Sequence, residues 1–223
     1  SKVKQIFKSQ NTSAAVIGFS HLESSDIANN DYIEQYEKFL KTTAEKMQRA
    51  GSPYGYIAMG STMVCTAESY CAVGGMPRKK ATEDFYFLQE LTKYCGVHNI
   101  PETLVFPSPR PISRVYLGTG YRMEQIQKGF DITSLYYSDD AYRYLSKWLQ
   151  LGGHAWEKSL NDLLKDIKSI HPNLISFFKI EGIETIWSKI QNNAPSKSHF
   201  TEQFHRWFDG LKTIRFLKRF SSP

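Results

Sequence analysis

Glu83 and Asp84 form a carboxylate pair that follows Thr82 and opens an apolar-periodic run, TEDFYFLQEL. That order marks the start of a helix. A carboxylate in a first helical turn is held as the anion by unpaired N–H groups and the helix dipole. An ionised Asp84 there can take a proton from a hydroxyl nucleophile brought within hydrogen-bond reach. Thr-Glu-Asp is equally an ordinary helix N-terminus, because Thr is a common N-cap. Two glycine turns give the pair its context. Gly60-Ser61 begins 23 residues before Glu83, and Gly60 permits the backbone to come close to a ligand. Gly74-Gly75 re-aims the chain, with eight residues between Gly75 and Asp84.

The elements that must position these residues follow from periodicity and punctuation. The apolar run 14–19 (AAVIGF) predicts a buried strand. Ile33, Tyr36, Leu40, Ala44 and Met47 share a helical stripe that opens at Asp31 and stops at Gly51-Ser52-Pro53. Residues 54–59 and 63–65 read as strand material broken at Gly60-Ser61, and 67–72 as a short helix stopped by Gly74-Gly75. Thr82 caps the next helix, whose stripe is Phe85, Leu88, Leu91 and Cys95, and 103–106 reads as a strand. A loop rich in proline and glycine follows, with arginines at 110, 114 and 122. Loops that long in compact domains tend to be functional or disordered. Helices are expected at 140–151, 156–170, 173–180, 183–191 and 198–220. The fold class is therefore mixed, helix-rich α/β, with an α/β region 1–135 and an all-helical region 136–223.

Composition narrows the function classes. The 223 residues are 41% hydrophobic and 14% aromatic, enough for a substantial core. No run of about 18 apolar residues is present, and the first residues lack a signal-peptide core. A cytoplasmic setting is expected, with peripheral membrane contact. Cys65, Cys71 and Cys95 show no metal-ligand spacing and read as small buried hydrophobes. The net charge of +6 falls entirely within residues 141–223, where 13 Lys/Arg face 7 Asp/Glu. That excess fits a solvated helical face, or a tail that docks on an anionic partner or membrane surface. Arg206, Lys212, Arg215, Lys218 and Arg219 would carry such docking. Nothing interleaves aromatic and basic residues in a nucleic-acid-binding motif.

The span GSTMVCTAESYCAVGGMPRKKATEDFYF, within 50–91, resembles the acceptor half of inverting family-2 glycosyltransferases of the GT-A fold. The likeness continues into PSPRPISRVYLGTG at 107–120 and covers roughly residues 10–125. It implies that Asp84 is the general base for an acceptor hydroxyl and that Glu83 shapes the acceptor site. Gly60 and Ser61 would line the site near the donor sugar. Arg110 and Arg114 are candidates to hold the leaving phosphates, since guanidinium grips phosphate bidentately, and equally to anchor their own loop. Gln203, Arg206 and Trp207 match the Q-x-x-R-W pattern of processive members, although ordinary packing of an amphipathic helix also explains them.

No D-x-D occurs in the chain. The resemblance then implies a C-terminal portion of a longer transferase, acting on a nucleotide-sugar donor and a glycan or lipid-linked acceptor. A divalent metal, Mg²⁺ or Mn²⁺, would be needed by the full-length enzyme and none would be held by this portion. The portion alone is expected to turn over little or nothing. The other expectation is a non-catalytic interaction module that uses the basic helical tail.

Overall fold

A computed structural model describes residues 2–24, 27–108 and 119–221. Contacts divide the chain into two compact units, Ser1–Glu45 with Gly55–Tyr136, and Lys46–Tyr54 with Tyr137–Pro223. The architecture is mixed and helix-rich, with one small open sheet.

In chain order the first unit contains α1 (Lys2–Ser9), β1 (Ala14–Phe19), most of α2 (Ile27–Arg49), β2 (Met63–Cys65), α3 (Ala67–Ala72), α4 (Glu83–Cys95), β3 (His98–Val105) and α5 (Thr119–Gln127). Its three strands are ordered β2-β1-β3, with β1 antiparallel to β2 and parallel to β3. The central strand is apolar throughout because both its faces are covered. Ala14 and Val16 pack with Phe87, Leu88 and Leu91 of α4. Ala15 and Ile17 pack with Ile100 and with Val3, Ile6 and Phe7 of α1. Gly18 lies where the β1–β3 register shifts, and a Cβ there would sit 2.6 Å from the Pro101 carbonyl oxygen. Only glycine lets the two backbones come that close.

The helix α4 buries Phe87, Leu88 and Leu91, so its core face is rotated from the expected stripe, and Cys95 is exposed at its last position. Cys71 is exposed on α3, and Cys65 is half-buried; the expectation of three buried thiols fails because two of them fall on outer helix positions. Residues 54–59 form no strand. The Asn99 side-chain amide donates to the Gly55 carbonyl at 3.3 Å, one bond there that a side chain supplies in place of a ladder. The helix α5 falls in a stretch read as loop. It contributes Ile126 to a cluster with Tyr36 and Ile132.

The second unit holds α6 (Asp139–Gly153), α7 (Leu160–Ile170), α8 (Leu174–Ile180), α9 (Ile183–Asn192), α10 (Lys197–Trp207) and α11 (Gly210–Ser221). Ser138, Ser159 and Ser196 cap α6, α7 and α10 by accepting from a backbone N–H in the first turn. Its core is aromatic. Trp148 is fully buried among Phe178, Phe204, Trp207 and Phe208, with the Phe178 ring centre 4.0 Å away. Gly152 makes room for Phe204, whose ring would lie 2.4 Å from an added Cβ. The single helix expected at 198–220 is two helices. Asp209 breaks it, with Oδ1 accepting the Lys212 N–H at 3.1 Å and its carbonyl accepting from Thr213.

Candidate active site

Four elements of the first unit bring chemistry-bearing residues together. The α4 helix, anchored by Phe87, Leu88 and Leu91, holds Glu83 and Asp84 half-buried in its first turn. Asp84 Oδ1 accepts the Phe85 N–H at 2.8 Å. The Gly60 backbone also hydrogen-bonds the Asp84 carboxylate, so a turn and a helix start 24 residues apart meet at one side chain. Gly60 and Ser61 are exposed in a single 3-10 turn, Gly60–Thr62, and an added Cβ at Gly60 would meet nothing within 4 Å. The Gly60–Asp84 junction therefore faces open space.

Burial pushes the Asp84 carboxyl above its ordinary value; the Phe85 hydrogen bond opposes that, and the neighbouring Glu83 charge adds to it. A carboxylate so raised binds a proton more strongly, which suits a general base working near neutral pH.

Thr82 is not the cap its sequence suggests. It takes a left-handed conformation with φ 67° and makes no side-chain cap, its hydroxyl donating instead to the Ala81 carbonyl. For a β-branched residue this region is strained, at about 1–3 kcal/mol. The strain lies directly before the carboxylate pair, where backbone strain is often found to serve function.

Two residues join the site that sequence reasoning did not select. Tyr36 on α2 is buried, and its hydroxyl pKa is raised by burial, lowered by the Arg122 charge and raised by the Asp84 charge. Tyr36 thus senses both a cation from α5 and the anion from α4. Arg122 is half-buried, lies beside the rings of Tyr121 and Phe130, and has no carboxylate partner among the described residues. A half-buried guanidinium without a counter-ion is suited to an incoming anion. The α2 stripe contained Tyr36 and the loop contained Arg122. Neither carried a signal in one dimension, because only the packing of α2 with α5 makes them neighbours.

The remaining expected site residues divide as follows. Arg110 and Arg114 lie outside the described residues. Gln203, Arg206 and Trp207 all fall on α10 of the second unit. There Gln203 pairs with His199, Trp207 donates to the Glu181 carbonyl and stacks in the aromatic core, and Arg206 is exposed. Their contacts are those of helix packing. Among the described residues no three of His, Cys, Asp and Glu come together as a metal-ligand group. No helix among the described residues is long and apolar enough to cross a membrane. Comparison with protein-family models, with curated proteins and with solved structures finds no match to this chain.

Proposed function

We propose that the first unit carries the acceptor site and catalytic base of an inverting, nucleotide-sugar-dependent glycosyltransferase, built as the acceptor half of a GT-A-like fold. The observation that carries this reading is the meeting of Gly60 with a half-buried, proton-avid Asp84 beside open space. Asp84 takes the proton of the acceptor hydroxyl as that oxygen forms a bond to the anomeric carbon. The bond from that carbon to the nucleoside diphosphate breaks on the opposite face, and its electrons leave with the phosphate. Glu83 shapes the acceptor side, and Gly60 and Ser61 line the sugar side. Tyr36 keeps its proton and can donate a hydrogen bond, while Arg122 supplies positive charge toward the departing phosphates, the role that the resemblance gives to Arg110 and Arg114. Donor binding requires a nucleotide-holding segment that this chain's sequence does not contain, so transfer belongs to a longer polypeptide or assembly. A divalent cation such as Mg²⁺ or Mn²⁺ would be held there, by residues other than these.

The interaction-module reading draws less support. The apolar face of α11 is occupied, with Phe216 and Leu217 fully buried, and Arg215 pairs with Glu181 at 3.4 Å. The tail offers charge but no free apolar stripe.

The test is Asp84→Asn in the transfer-competent protein, with donor consumption measured at saturating acceptor. The expected result is an unchanged fold and a kcat lower by about 10²–10⁴-fold. Retention of more than about a tenth of the activity overturns the assignment.

A further inference from the structure

From Tyr70 in α3 to Lys80, before α4, the chain combines two exposed features. Tyr70 and Met76 are large apolar side chains with 44% and 36% of their surface exposed. The Tyr70 ring leans on Phe87 and on the glycine turn that leads to Met76, lying about where a Gly75 Cβ would make 3.0 Å contacts. Gly74 and Gly75 both take positive φ, which lets the chain fold back sharply there. Arg78, Lys79 and Lys80 follow directly, all exposed, and none forms an ion pair with a carboxylate among the described residues. The nearest acids in sequence are Glu68 at the start of α3 and the site pair Glu83-Asp84. Ile180 is the most exposed large apolar residue, yet its neighbour Lys179 is paired with Glu184 at 3.0 Å.

Cations without counter-ions next to exposed apolar side chains match a surface that is negative outside and greasy beneath. We propose that Tyr70–Lys80 is a membrane-docking loop, in which Arg78, Lys79 and Lys80 bind anionic lipid headgroups while Tyr70 and Met76 enter the headgroup boundary. A soluble phosphate would engage the cations but leave Tyr70 and Met76 unused, which is why the lipid surface is the better occupant. The loop adjoins the carboxylate pair: the Lys79 ammonium rests 3.3 Å from the ring centre of Tyr86, in the first turn of α4. Docking stands apart from the transfer reading, so either can fail alone. Taken together, they place Asp84 at headgroup level and make the acceptor lipid-linked.

Vesicle co-sedimentation tests the docking without donor, acceptor or turnover. The probes are vesicles of phosphatidylcholine with and without phosphatidylglycerol. Binding is expected only with phosphatidylglycerol and is expected to weaken as salt rises. The triple variant R78E/K79E/K80E should bind at least about tenfold less tightly, since each basic residue near such a surface contributes about 1 kcal/mol. Met76→Asp should weaken binding to a smaller degree. A polarity-sensitive dye on Cys71, with Cys65 and Cys95 replaced by Ser, should shift to shorter wavelength on vesicle addition. Equal binding to both vesicle types, wild-type binding by the triple variant, a dye that stays in water while vesicles bind, or full competition by inorganic phosphate each overturns the proposal.

Discussion

The two units differ in the kind of polar group they leave unsettled. In the first, half-buried charges are left in tension: Asp84 is raised by burial, Arg122 lacks a carboxylate partner among the described residues, and Thr82 is held in a left-handed conformation. In the second, three helix starts are capped by serine hydroxyls and the interior is ring against ring, where only neutral ring nitrogens, Trp148 Nε1 and His205 Nδ1, are buried without a partner among the described residues. Under the proposed function, the difference separates side chains set by packing from side chains set by chemistry. A packed aromatic core needs no unpaired charge, whereas a proton-transfer site needs one that water does not neutralise.

The comparison is broken most severely from the second unit. Trp148→Ala removes the ring at the centre of its core and should cost about 3–5 kcal/mol in chemical denaturation. A cost below about 1 kcal/mol would show that the aromatic cluster is loosely packed rather than a core. Acid attacks the same unit through His205, whose pKa burial lowers to about 4. Between the ordinary histidine value near 6.5 and that value, the unfolded chain binds the proton and the folded one does not. Stability should therefore fall as pH drops through this window, by on the order of 3 kcal/mol. His205→Phe should flatten that part of the profile, and an unchanged slope would assign the acid sensitivity to other groups.

Smaller effects sharpen the contrast. Gly152→Ala pushes a methyl into the buried Phe204 ring and should destabilise by about 1–3 kcal/mol, although alanine favours helices elsewhere. Asp84→Asn should do the reverse in the first unit. Because its folded pKa is raised, ionisation costs the folded state more than the unfolded chain. The penalty is absent below the ordinary carboxylate pKa and grows as pH rises through the raised one. The variant should thus be more stable than the wild type at neutral pH and no different from it in acid. Thermal melts of both proteins at two pH values would check this. A loss of stability at neutral pH would make Asp84 a structural residue.

Much of the local structure was legible in one dimension. The run AAVIGF corresponds to β1 residue for residue, since a strand covered on both faces must be apolar at every position. The starts of α3 and α4 fall where expected, although Thr66 caps its helix through the Ser69 N–H while Thr82 makes no side-chain cap. Residues 54–59 misled because Tyr56 and Ala58 pack against the β1 and α4 core without joining the sheet, while a side chain, Asn99, bonds the Gly55 carbonyl. The long C-terminal stripe concealed a break, because the apolar period carries on across Asp209 while the backbone does not.

Sequence by itself determined the strand, the helix starts, the carboxylate pair and the glycine turns, because each rests on backbone preference or burial within a few residues. Tertiary structure alone decided that Gly60 bonds to Asp84, that Tyr36 and Arg122 share the Asp84 field, and that Thr82 is strained. These depend on where separate elements come to rest in space. Electrostatic coupling depends on distance through space, which chain order does not encode.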